Sequence, residues 1–148
     1  MSLGREAQIR CAERLTFTAL TRFPLVGPHA NLAELVLEAL AGDSIELRTG
    51  DVLVVASKVV SRAEGRFVDL RTVHVSERAR TLSHAVGLDE RLVELVLGES
   101  LEVSRTAPGV LIVKNRLGVV CANAGVDLSN AKPLDAPEGS GPWALTLP

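Results

Sequence analysis

A chain of 148 residues with 47% hydrophobic content can bury one core and is too short for two independent domains of ordinary size. Sixteen basic residues against eighteen acidic ones leave a formal charge of -2, which lacks the basic footprint of phosphate-backbone binding and excludes nucleic acid as a first partner class. No apolar run reaches the ~18 residues that cross a bilayer, and the start, MSLGREAQIR, lacks the apolar centre of a signal peptide; the expectation is a cytoplasmic protein without a membrane partner.

LTFTAL, residues 15–20, alternates apolar and polar positions and reads as a strand. TRFPLVGPHAN then breaks the pattern with two prolines and a glycine. From Asn31 the spacing turns helical, with Leu32, Leu35, Val36, Ala39 and Leu40 on one face, Asn31 as cap, Glu34 three residues on, and Gly42 as terminator. GDVLVVASKVVS, residues 50–61, is a continuous run rich in β-branched residues and predicts a strand buried on both faces.

Two helices are expected over Ser76 to Val86 and Asp89 to about Leu101. Gly87 separates them, and their apolar faces are Ala79, Leu82, Val86 and Leu92, Val93, Val96. PGVLIVKNRLGVVCANAG, residues 108–125, holds two apolar runs around Asn115 to Gly118 and predicts a β-hairpin that delivers Asp127 at its exit. A Pro/Gly-rich stretch precedes the closing WALTLP, a short β-like run. The expected fold is α/β (α+β), a mixed β-sheet with interleaved helices and a β-hairpin.

Two segments carry side chains suited to chemistry. In SKVVSRAEGR, residues 57–66, Lys58, Arg62 and Arg66 recur every four residues beside Ser57 and Ser61. They form an anion-binding face if the segment is regular, or a solvated turn in which Glu64 is a local partner. In GVVCANAGVDLSN, residues 118–130, Asp127 offers hard oxygens to Mg²⁺ or Mn²⁺ and Asn130 an amide to a nucleotide. The same residues also suit an Asx or Ser turn that satisfies its own main chain. Cys11 and Cys121 are isolated, so neither a disulfide framework nor a zinc site is indicated. His29, His74 and His84 are scattered, and no catalytic residue is assigned.

Taken in order, GDVLVVASKVVSRAEGR, SERA, APGVLIVKNRLGVVCANAGVDLSN and ALTLP resemble the coenzyme F420-0:L-glutamate ligase (F420-0:γ-glutamyl ligase) family. The resemblance runs from about Leu15 to Pro148. It implies a GTP-dependent ligase that adds L-glutamate to coenzyme F420-0 through γ-glutamyl amide bonds by way of an acyl phosphate, with Mg²⁺ or Mn²⁺ as cofactor, K⁺ as a further candidate ion, and a homodimeric state. By motif match, Asp127 corresponds to a metal ligand. Asn130, Ser57, Lys58 and Arg62 correspond to residues of the nucleotide site, as do Arg22, Phe23 and Pro24, which stand where the family has a Gly-Leu-Pro turn. On this reading residues 1–14 are an N-terminal extension or expression scar, and 15–148 are the N-terminal part of the ligase domain, with further metal ligands expected beyond Pro148. The chain then supplies the nucleotide-side half of the site and is inactive in isolation. The rival readings are a non-catalytic GTP/F420-binding module and a structural dimerisation domain.

Overall fold

The computed structural model describes residues 14–148, so most of the expected N-terminal extension, Cys11 included, lies outside the described residues. The elements follow in the order α1 (Leu32–Gly42), α2 (Ser57–Ala63), β1 (Phe67–Asp69), α3 (Glu77–Val86), α4 (Glu90–Gly98), β2 (Ser100–Ala107), β3 (Val110–Asn115), β4 (Val120–Ala122) and β5 (Trp143–Leu145). The α+β class, the interleaved helices and the hairpin are as the sequence implied. The strands form two antiparallel sheets, β2-β3-β4 and β1-β5. Among the described residues no helix is long and apolar enough to cross a membrane.

Three of the helices, α1, α3 and α4, begin where a side-chain cap dictates. Asn31 Oδ1 accepts the amides of Ala33 and Glu34 at 3.1 and 3.4 Å, which satisfies two of the donors that the first turn of α1 leaves open. Ser76 Oγ does the same for α3 at Ala79, and Asp89 Oδ1 for α4 at Arg91 and Leu92. Gly87 closes α3 as expected. The inner faces of α3 and α4, with Ala79, Val86, Leu92, Val93 and Val96, pack on Leu111 and Val113 of β3 to make the main core. β3 alternates strictly, with Leu111, Val113 and Asn115 buried. Asn115 is satisfied within the hairpin turn, its Oδ1 accepting the amides of Leu117 and Val119 at 3.0 and 2.9 Å.

Three expectations fail. The run over 50–61 is not one strand: Ser57–Ala63 is helix α2, and residues 51–56 belong to no ladder. Residues 15–20 likewise form no strand. The first has the alternation of a strand and the second the composition of a buried one, yet Phe17, Val52 and Val54 are 85%, 83% and 83% exposed. A strand exists through its partners, and the described residues supply none for these two. The helix expected to reach about Leu101 stops at Gly98, and Leu101 lies in β2. β2 pairs antiparallel with β3 across two register irregularities, which hide its period from a sequence pattern.

Leu111 is fully buried between the helices and the sheet. Leu111→Ala is expected to cost ~2–5 kcal/mol in chemical denaturation. Leu117→Ala, at a 70% exposed position in the hairpin turn, is expected to change stability by less than about 0.5 kcal/mol.

Candidate functional site

The loop that follows β4 is built from backbone torsions that most residues avoid. Asn123, Ala124 and Gly125 take φ of 48°, 53° and 74° in succession, and Asn130 takes 53°. Left-handed torsions at non-glycine residues persist only where the surroundings over-determine them. Here Asn123 Oδ1 accepts the amide of Leu111 at 2.9 Å, and Ala124 is locked into the core. Gly125 is required for space as well, because a Cβ there would stand 2.6 Å from the Leu147 side chain. The turn lays Asp127 against β5, where its amide donates to Leu145 O at 2.9 Å and its carbonyl accepts from Leu145 N at 2.8 Å.

The carboxylate of Asp127 is thereby fixed beside α2. Lys58 Nζ lies 2.8 Å from Asp127 Oδ2 and donates to Ser129 Oγ at 2.8 Å. Asp127 Oδ1 accepts the Ser129 amide at 2.7 Å and the Ser129 hydroxyl at 2.6 Å. The closed Asx turn and the long-range contact therefore coexist, one on each carboxylate oxygen. The Lys58 ammonium, foremost, and then the Ser129 hydroxyl hold the Asp127 carboxyl down at about 2, against an ordinary 3.8, while partial burial opposes them.

Four residues after Lys58, Arg62 sits on the buried side of the same helix, 5% exposed. Its Nε donates to Val26 O at 2.7 Å and its Nη1 to Asn130 O at 2.8 Å, with a longer contact of 3.4 Å to Lys132 O. Its guanidinium carbon lies 5.2 Å from the centroid of the Phe67 ring. Arg66 has left the helix and pairs with Glu64 at 2.6 Å, as the solvated-turn reading expects. The three cations of SKVVSRAEGR thus take separate roles: Lys58 and Arg62 lie within α2, and Arg66 falls beyond its end at Ala63.

Phe23, Pro24, Lys58, Arg62 and Asn130 line one cavity of about 420 Å³, and Asp127 adjoins it through Lys58. Ser57 stands exposed at the start of α2. Arg22 turns away, 72% exposed and 3.7 Å from the Asp43 carboxylate, which also accepts the Thr21 amide and hydroxyl. Lys132 also lines the cavity and was missed from the sequence. Its one signal was rarity, since Lys58, Lys114 and Lys132 are the chain's only lysines.

Among the described residues no group of three or more His, Cys, Asp or Glu side chains could hold a metal ion. The donors present are the ionised Asp127 carboxylate and the neighbouring Ser129 hydroxyl and Asn130 amide. That set does not make an all-protein cage. It fits the common arrangement in which one carboxylate and substrate phosphates together hold Mg²⁺ or Mn²⁺.

Residues 21–148 match the family model described as F420-0:Gamma-glutamyl ligase. The chain is 46% identical over 108 residues to the coenzyme F420:L-glutamate ligase of Methanopyrus kandleri, covering 73% of this chain and 41% of that protein. It is 40% identical over 123 residues to the same-named protein of Methanothermobacter thermautotrophicus, covering 79% and 49%. To that of Archaeoglobus fulgidus it is 41% identical over 124 residues, covering 79% and 47%. The chain therefore spans about half the length of the curated relatives it matches.

Since the Asp127 carboxyl is lowered in the folded chain, its pairing contributes stability that is complete above about pH 4 and lost as the pH falls toward 2. Carbon-13 titration should find the Asp127 carboxyl near 2 in the parent chain, with Lys58→Met raising it toward the ordinary range. The acid loss of unfolding free energy should be smaller in Asp127→Asn than in the parent.

Proposed function

This chain belongs to the F420-0:γ-glutamyl ligase family, and on that premise we propose that it supplies the nucleotide-side half of a GTP-dependent ligase that joins L-glutamate to coenzyme F420-0. The observation that carries the reading is the meeting of Lys58 with Asp127, and with Ser129 71 positions away in sequence, at the rim of one cavity. Two of the segments that resemble the family, those carrying Lys58 and Asp127, come together in space, with an ammonium, an ionised carboxylate and an amide at their junction.

In the proposed reaction the γ-phosphoryl group of GTP passes to a carboxylate of F420-0 and GDP leaves. The glutamate amine then attacks the acyl carbon, phosphate departs with the former carboxylate oxygen, and the nitrogen gives up a proton as the amide forms. The chain's residues have two tasks in this scheme, to align the reactants and to neutralise phosphate charge. Lys58 would exchange Asp127 for a phosphate oxygen, since one ammonium serves either anion and the half-exposed pair can open at small cost. Asp127 Oδ2, so released, and Asn130 would then face the phosphates, and Asp127 would be the protein's carboxylate ligand for a divalent cation. A bound Mg²⁺ or Mn²⁺ supplies charge neutralisation to a phosphoryl group in such chemistry. Arg62 would act on the nucleotide site through the loop carbonyls that it holds.

Titration calorimetry of the chain with GTP and Mn²⁺ tests the reading. Saturable binding is expected, weakened about tenfold to a hundredfold by Asp127→Ala and by Lys58→Met, as for the loss of a charged hydrogen bond. A folded sample that binds no GTP with Mn²⁺ overturns it. Mass spectrometry of F420-0 incubated with GTP, Mn²⁺ and glutamate then reads ligase activity directly; GTP binding without a glutamylated product supports the binding-module alternative.

A further inference from the structure

A second cavity of about 450 Å³ shares Asn130 and Lys132 with the first, so the loop from Asp127 to Lys132 is a wall common to both. Leu70, Leu92, Leu128, Pro142 and Trp143 make its apolar lining, with Asp89 and Ser140 as further polar members. Asp89 is already engaged as the cap of α4. Lys132 has no carboxylate partner among the described residues, which makes it the free charge of this cavity.

Trp143 is the chain's only tryptophan, in a sequence without tyrosine and with three phenylalanines. Its placement is built in from three sides. The backbone is held in β5 opposite Asp69, and the indole Nε1 donates to Ser140 Oγ at 3.3 Å. Gly141, at φ +103°, leaves the space the indole occupies: a Cβ there would stand 2.6 Å from Trp143 Cδ1. The ring's polar edge is thus satisfied while it remains half-buried at the cavity wall. A fixed indole with its hydrogen-bonding edge already occupied offers an apolar π surface, in a cavity whose volume suits a small molecule.

We propose that this second cavity binds a planar aromatic ring against Trp143, from a ligand whose anionic end extends past Asn130 and Lys132 toward the first cavity. The identification of that ligand rests on the function proposed above: it is F420-0, with its deazaflavin ring in the second cavity and its lactyl-phosphate end on the shared loop. The phosphoryl donor and the carboxylate to be activated then approach the Asp127 to Lys132 loop from its two cavities. Stacking on Trp143 holds the substrate while the reacting end stays free to align.

Calorimetric titration of the whole chain with F420-0, without nucleotide, tests the assignment. Trp143→Ala is expected to weaken F420-0 binding about tenfold to a hundredfold, the range of aromatic stacking on a ring. Trp143→Phe should weaken it less than about threefold, and neither should alter affinity for GTP with Mn²⁺. The phosphate-free deazaflavin fragment should compete with F420-0 and not with GTP. Should Trp143→Ala fail to fold, Leu128→Glu, at a position 51% exposed, places a charge in the same lining and must weaken F420-0 as well. F420-0 affinity indifferent to both variants, or lost together with GTP affinity, overturns the assignment. GTP binding that persists beside Trp143-insensitive F420-0 binding leaves the ligase reading standing and removes this one. Trp143-dependent F420-0 binding without any GTP binding does the reverse.

Discussion

One guanidinium organises the region on which the rest depends. Arg62 is buried without a carboxylate partner, so its charge is tolerated only through the carbonyls of Val26 and Asn130, the weaker contact to Lys132, and the Phe67 face. Those carbonyls come from two segments far apart in sequence, one before α1 and one after β4. A single planar group with donors in a fixed fork joins them, which a flexible ammonium does not reproduce. Because Lys58 stands four residues before Arg62 on the same helix, anchoring Arg62 also sets where Lys58 can reach.

From that anchor the candidate site follows by short steps. The left-handed run at Asn123 to Gly125 turns the chain toward β5, and the paired backbone of Asp127 and Leu145 fixes the carboxylate. Lys58 then closes on it. Lys58, Asp127 and Ser129 already partner one another, a resting state that an anion can enter by exchange, without first exposing an unpaired charge. The same loop carries Asn130 and Lys132 into two cavities at once, so a single segment serves both.

The segments over 15–20 and 51–56 follow a different logic. Their residues are as apolar as those of the core, but the described residues neither pair nor cover them. Composition reports what a segment requires, and architecture reports what its neighbours provide. In this chain, which spans about half the length of its relatives, the two disagree at these positions and agree throughout the α3, α4 and β3 core.

The sequence by itself determined the elements whose signals are local. Asn31, Ser76 and Asp89 cap helices because a side-chain oxygen meets amides two or three residues on, and Gly87 separates α3 from α4 for an equally local reason. The hairpin turn at Asn115 to Gly118 was legible in the same way, whereas the alternating burial along β3 was not, because residues 110–113 are all apolar. Asp127 and Lys58 could be named as residues of the right chemistry in segments that resemble one family. Their meeting, the burial of Arg62, the pairing of β2 and the Trp143 cavity were decided by tertiary structure alone. Each depends on which distant backbone carbonyl, ladder partner or missing Cβ stands opposite, and a linear pattern of residue types does not contain that information.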